Sequence, residues 1–220
     1  MGTFRGFDKE DLEFFEKIPD KNQAGYYQDN KEQAKHIDAE FISLFKDIDI
    51  FLKIEFNSNY KWDAKRLSQG FGRDFDSIWG AWHSDKRKRQ EDIQLFMNFG
   101  LFDDEQIPMF NVGMALRNIT DEKVYEIYRN NLKSISDKMK KVLENSKNKY
   151  NFIDDEDKVI SGNMLDTFSQ WVELPGSIWV SFDTKTILDT TSFIEKIKSV
   201  MRELYPIFDL LIKKEDETMQ

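Results

Sequence analysis

Two groups of side chains in this chain have the types and spacing to do chemistry. The first is aromatic and basic: Trp62, Arg73, Trp79 and Trp82, then the run Lys86-Arg87-Lys88-Arg89. Indole rings offer flat faces for an unstacked base, and nearby cations neutralise phosphate. That combination suits nucleic-acid binding. The second group is Asp166 with Asp183-Thr184-Lys185, which follows the apolar run Ile178 to Phe182. Metal-dependent nucleases hold Mg²⁺ between carboxylates at strand ends, with a lysine beside the attacking water. Both patterns have plain alternatives. The tryptophans can be core, and the basic run can be a solvated turn balanced by Asp85, Glu91 and Asp92. Polar residues after a strand are common, so the acidic pattern has low specificity.

Other chemistries find no residues to carry them. Cysteine is absent, which excludes disulfides, thiolate metal sites and cysteine nucleophiles. The two histidines, His36 and His83, stand far apart in sequence and leave little room for a Ser-His-acid arrangement. His36 lies at the edge of an apolar helical stripe and is expected there as a core-edge residue. Gly70-Phe71-Gly72 lacks the third glycine of a phosphate-binding loop. Asp154-Asp155-Glu156-Asp157 lacks the glycine and terminal glutamate of a calcium loop. No cofactor and no resident metal are expected.

Composition sets the frame around these groups. With 220 residues, 14% of them aromatic and 19 phenylalanines, the chain can bury a proper core. Its formal charge of −9 argues against binding nucleic acid by bulk charge. It leaves room for one local basic patch on an acidic body. No apolar run reaches the length of a membrane span. The N-terminus lacks the apolar core of a signal peptide, and Gly6 stands where a myristoylation motif needs Ser or Thr. A cytoplasmic protein without a membrane partner is expected.

The elements that must position the candidate residues follow from periodicity. Helices are expected over Asp8 to Lys17, capped by Asp8, and over Gln28 to Leu52, with Ile37, Phe41, Leu44, Phe45 and Ile48 as its buried stripe. Ile54-Glu55-Phe56 reads as a short strand, and residues 57–72 as irregular. Ile78 to Trp82 reads as a strand, Ser84 to Asp92 as an exposed connection. Ile93 to Phe102 alternates with period two and reads as a strand with one buried face; Phe96 interrupts the polar face, so that face is covered or binds something. After a turn at Asp103 to Gln106, Met109 to Leu116 forms its hairpin partner, with Gly113 marking a bulge or close backbone approach. A long helix capped by Thr120 and running to about Ser146 follows. Tyr150 to Ile153, Val159-Ile160, Trp171 to Leu174 and Ile178 to Phe182 read as strands, the last two parted by a Pro175-Gly176 turn. A helix over Phe193 to Ile212, capped within Thr190 to Ser192 and kinked or interrupted at Pro206, closes the fold. The whole reads as one α+β domain over residues 1–212, a mixed or antiparallel sheet flanked by helices, with residues 213–220 a charged tail or the start of a linker.

Several of these residues resemble a known family. Gly6-Phe7-Asp8-Lys9-Glu10-Asp11, then Ala64-Lys65, Trp79-Gly80-Ala81-Trp82, Lys86-Arg87 and Gln94 before Gly100-Leu101 occur in the order seen in the YktB-like uncharacterised bacterial proteins. The resemblance covers roughly the first half of the chain. The chain departs from it by lacking the Gly-Tyr after Lys-Arg and the His before Gln94. That family transfers no activity. In layout alone, the aromatic-rich α+β domain ending in an amphipathic helix and charged tail is similar to the N-terminal DNA-binding domains of McrB-like restriction proteins.

The resemblance in layout and the aromatic-basic group together imply a DNA-binding specificity module of a bacterial restriction or antiviral defence system. Its expected partner is DNA, unmodified or modified, alongside a further domain or partner protein. Catalysis is not the expectation. The alternatives are a Mg²⁺-dependent nuclease-like enzyme using Asp166, Asp183 and Lys185, or a protein-interaction module.

Overall fold

The computed structural model describes residues 3–18, 23–67, 77–86, 88, 91–101, 107–116 and 119–218. Among them, helices α1 (Lys9–Glu16), α2 (Gln23–Asp29) and α3 (Lys31–Phe56) precede strands β1 (Lys61–Lys65), β2 (Ser77–His83), β3 (Gln94–Gly100) and β4 (Met109–Ala115). Then come α4 (Glu122–Ser134), α5 (Ser136–Asn145), β5 (Asn151–Asp154), α6 (Met164–Trp171), β6 (Pro175–Phe182), α7 (Thr184–Leu188) and α8 (Thr190–Thr218). The strands form one open antiparallel sheet in the order β1-β2-β3-β4-β6-β5, and the architecture is α+β. β2, β3 and β4 are successive neighbours, as short connections between antiparallel strands favour.

Two compact units divide the chain. The first comprises Met1–Gly80, Met97–Asn111 and Phe182–Lys198. Its core is a phenylalanine cluster. Phe7 and Phe15 lie 4.5 and 4.7 Å from Phe99, and Phe110 lies 4.9 Å from Phe193, ring centre to ring centre. Rings at these distances add about 0.5–1.5 kcal/mol per pair beyond the area they bury. The α3 stripe of Ile37, Phe41, Leu44, Phe45 and Ile48 is wholly buried, as its spacing requires. α1 opens with a reciprocal cap: Asp8 accepts the amides of Glu10 and Asp11, and Asp11 accepts the amide of Asp8. The N-terminal segment is tied to α3 where Thr3 and Phe4 donate their amides to Asp47, and Arg5 donates to Glu40.

The second unit comprises Ala81–Phe96, Val112–Ser181 and Ser199–Gln220. Phe152 of β5 pairs with Ile178 of β6, and its ring meets Phe168 and Trp171 of α6. Glu203 of α8 accepts hydrogen bonds from Ser146 Oγ (2.6 Å), Tyr150 Oη (2.7 Å) and Asn148 Nδ2 (3.1 Å), fixing the end of α5 and the start of β5. Gly113 is glycine for want of space: a Cβ there would sit 2.3 Å from the Ile178 carbonyl oxygen and 2.6 Å from Trp179 Cβ. The close approach expected at this position is present.

Several expected elements differ. The helix expected from Gln28 breaks at Asn30 and continues to Phe56, so Ile54-Glu55-Phe56 is helical. Asn57, left-handed at φ 55°, ends it. β1 occupies part of the segment expected to be irregular. The cap of α4 is Asp121 rather than Thr120, and Ile135 separates α4 from α5. Val159 makes only a single bridge to Ile153. Trp171 ends α6 instead of starting a strand, and Pro175-Gly176 opens β6 instead of turning before it. Asp189 accepts the Ser192 amide where Thr190 to Ser192 were expected to cap, and α8 runs through Pro206 to Thr218, past the expected tail boundary. The expected turn at Asp103 to Gln106 lies outside the described residues.

Candidate nucleic-acid interface

The basic run sits on the connection between β2 and β3, and its root is built from buried polar groups. Ser84 and Asp92, the first and last residues of the connection, are 6% and 0% exposed. Asp92 Oδ2 accepts the Ser84 amide at 2.8 Å. Asp92 Oδ1 accepts the Ile93 amide at 2.9 Å and the Tyr128 hydroxyl at 2.5 Å. His83 Nδ1 donates to the Ser84 carbonyl at 2.7 Å. A buried carboxylate is tolerated only with such partners. Here the partners include amides from both ends of the connection, so the carboxylate closes it like a clasp.

Between those ends, Asp85, Lys86 and Lys88 are exposed among the described residues. Lys86 is exposed, and the Lys88 side chain is 80% exposed. The Glu91 amide donates to the Lys88 carbonyl. Lys88 Nζ stands 3.6 Å from Glu91, an exposed pair that contributes little and leaves the ammonium open to a competing anion. Arg87 and Arg89 lie outside the described residues.

The tryptophans divide. Trp82 is fully buried. It belongs to the core and offers no stacking face, which corrects the expectation that it joins the site. Side chains alternate along a strand, and Trp82 falls on the same face of β2 as the fully buried Ile78, opposite to that of the half-buried Trp79. Trp62 and Trp79 are half-buried on β1 and β2; the Trp62 ring lies 5.2 Å from that of Phe45. Arg73 falls outside the described residues.

The acidic candidates do other work. Asp183 caps α7, accepting the Thr186 amide at 2.8 Å. Its hydrogen bonds to Thr186, then the charges of Lys196 and Lys185, hold the carboxyl below its usual range. Asp166 stands in the first turn of α6, where its carboxylate accepts from the Asn163 side chain. Lys185 is exposed on α7.

Sequence reasoning missed one cluster. Asp8, Asp11 and His36 hold ligand-type atoms within 4.8 Å of one another. The carboxylates are already engaged in the α1 cap, and Asp11 also accepts from Gln33. The Asp8-x-x-Asp11 spacing was the visible signal. It marks a helix start, and His36 Nε2 stands 3.7 Å from Asp11 Oδ1 at its side.

Among the described residues no helix is long and apolar enough to cross a membrane. In comparisons with known proteins, no family model and no curated protein matches the chain.

Proposed function

We propose that the chain binds DNA through the basic connection between β2 and β3, as a specificity module in a bacterial restriction or antiviral defence system. The observation that carries this is the Asp92 clasp. A basic run that merely bridges two strands needs no buried carboxylate at its root. This one is held at both ends by Asp92, while Lys86 and Lys88 are exposed. Because Asp92 is buried and committed, Asp85 and Glu91 are the acidic residues left within the connection to offset its four cations. A local positive surface on an acidic body concentrates DNA by charge at that surface alone. Phosphate contacts there position the protein, and the half-buried rings of Trp62 and Trp79 are candidates for base contacts. The resemblance in layout to the N-terminal domains of McrB-like restriction proteins supports this assignment to a bacterial defence role; the YktB-like resemblance transfers no activity and does not bear on it.

The test is a fluorescence-anisotropy titration of end-labelled duplexes, unmodified and base-modified, at several salt concentrations. Binding that weakens steeply with salt supports the proposal. Absence of salt-dependent binding to every duplex contradicts it.

A further inference from the structure

In the first compact unit, Phe99 of β3 and Phe110 of β4 meet at 5.9 Å on adjacent strands, and Phe110 packs 6.0 Å from Phe41 of α3. Side chains alternate along a strand, so Asn98 and Asn111 occupy the opposite face of the sheet. Trp79 shares that face: its neighbour Gly80 is the residue turned toward α3, since a Cβ there would meet Phe45 at 2.8 Å. Trp79, Asn98 and Asn111 thus lie on one face of three adjacent strands.

Asn111 is only 6% exposed. The side-chain oxygens of both Asn98 and Asn111 are buried, and neither has a hydrogen-bond partner. A buried polar atom without a partner is uncommon and calls for a physical cause. Two such atoms on neighbouring strands double the cost, and leucine would fill either position without it.

We infer that Asn98 and Asn111 form a base-reading pair, which hydrogen-bonds the edge of a nucleobase turned out of its stack, with the Trp79 ring beside it as the stacking surface. The inference rests on the DNA-binding reading above and names what that interface recognises. A side-chain amide matches an amine-and-nitrogen base edge, of which adenine is the commonest case. Both oxygens are shielded from solvent, so they suit an inserted base and not one grazed within an intact duplex. The basic run supplies affinity without sequence preference, and the amide pair supplies the preference.

The test uses the full chain and duplexes that differ only at one central base, carrying adenine, N6-methyladenine, cytosine or 5-methylcytosine. Wild type is expected to prefer one of them by about tenfold or more, the discrimination of one good bidentate contact. The Asn98→Leu/Asn111→Leu variant should bind all four like the poorest, with the salt dependence of wild type. Thermal melts check its fold, and the single variants N98L and N111L stand in for it if the pair does not fold. Wild type that binds every duplex equally, or variants that keep the preference, overturn the base-reading pair and leave DNA binding intact. Absence of binding to every duplex overturns both.

Discussion

The hydroxyl of Tyr128 on α4 stands 2.5 Å from Asp92 Oδ1, and both side chains are fully buried. Thirty-six positions separate them in sequence. The carboxylate that closes the basic connection is therefore held by a helix well beyond it. Tyr128→Phe removes one donor from a buried carboxylate and should cost about 1.5–3 kcal/mol of stability. Asp92→Asn should cost about 1–3 kcal/mol, since an amide nitrogen cannot accept a hydrogen bond as the second carboxylate oxygen does. In both variants the Ser84 and Ile93 amides should exchange hydrogen faster than in wild type. Melts and amide exchange that leave either variant like wild type would remove the clasp from the account.

The tryptophans separate by experiment as they do by burial. Trp82→Ala opens a cavity in the core and should cost about 3–5 kcal/mol of stability. Trp79→Ala removes a half-buried ring and should cost about 1–3 kcal/mol of DNA binding if the ring stacks on a base. Melting temperatures run beside binding titrations check both. A large stability loss for Trp79→Ala with unchanged binding by the folded fraction would place Trp79 in the core with Trp82.

How far the sequence reveals this depends on the kind of signal. The α3 stripe and β2, β3 and β4 were legible because each long enough periodic run admits one answer. Short runs did not behave so well. Ile54-Glu55-Phe56 looks like a strand in isolation, yet it continues a helix, with Ile54 81% exposed. Trp171 to Leu174 has strand-forming residues, but Asn163 caps a helix whose Phe168 and Trp171 already face Phe152. Pro175 and Gly176 signal a turn, but a proline can begin a strand. Gly176 is needed because a Cβ would fall 1.9 Å from the Asp154 carbonyl oxygen. The basic run was visible as composition. Its anchor was not, because only the fold brings Tyr128 to Asp92. Nor were the orphan amide oxygens of Asn98 and Asn111, whose meaning lies in the partners they lack.

Stability should also respond to pH through Asp11. Burial, offset by the Asp8 amide, His36 and Gln33, raises its carboxyl above the ordinary value of 3.8. A raised folded-state value means that stability from this group is full below 3.8 and is lost as pH climbs through the raised value. Asp11→Asn cannot ionise. Its melting temperature should therefore fall less than that of wild type across that window, whatever constant offset the change in the cap adds. Parallel curves for the two proteins would show that Asp11 does not titrate there.

Gly113 gives a steric prediction. Gly113→Ala places a methyl group 2.3 Å from a carbonyl oxygen and should cost at least about 1–3 kcal/mol. Chemical denaturation that finds the variant as stable as wild type would show that β4 and β6 yield freely at this point.

The most direct test concerns the basic run itself. Changing Lys86, Arg87, Lys88 and Arg89 together to alanine removes four charges from a connection whose clasp stays intact, so stability should move little. Binding to DNA should weaken for every sequence alike. The slope of log affinity against log salt should flatten by about 0.9 for each phosphate that the protein ceases to neutralise. A variant that binds every duplex with the affinity and salt slope of wild type would contradict the proposal that this connection is the DNA-binding surface.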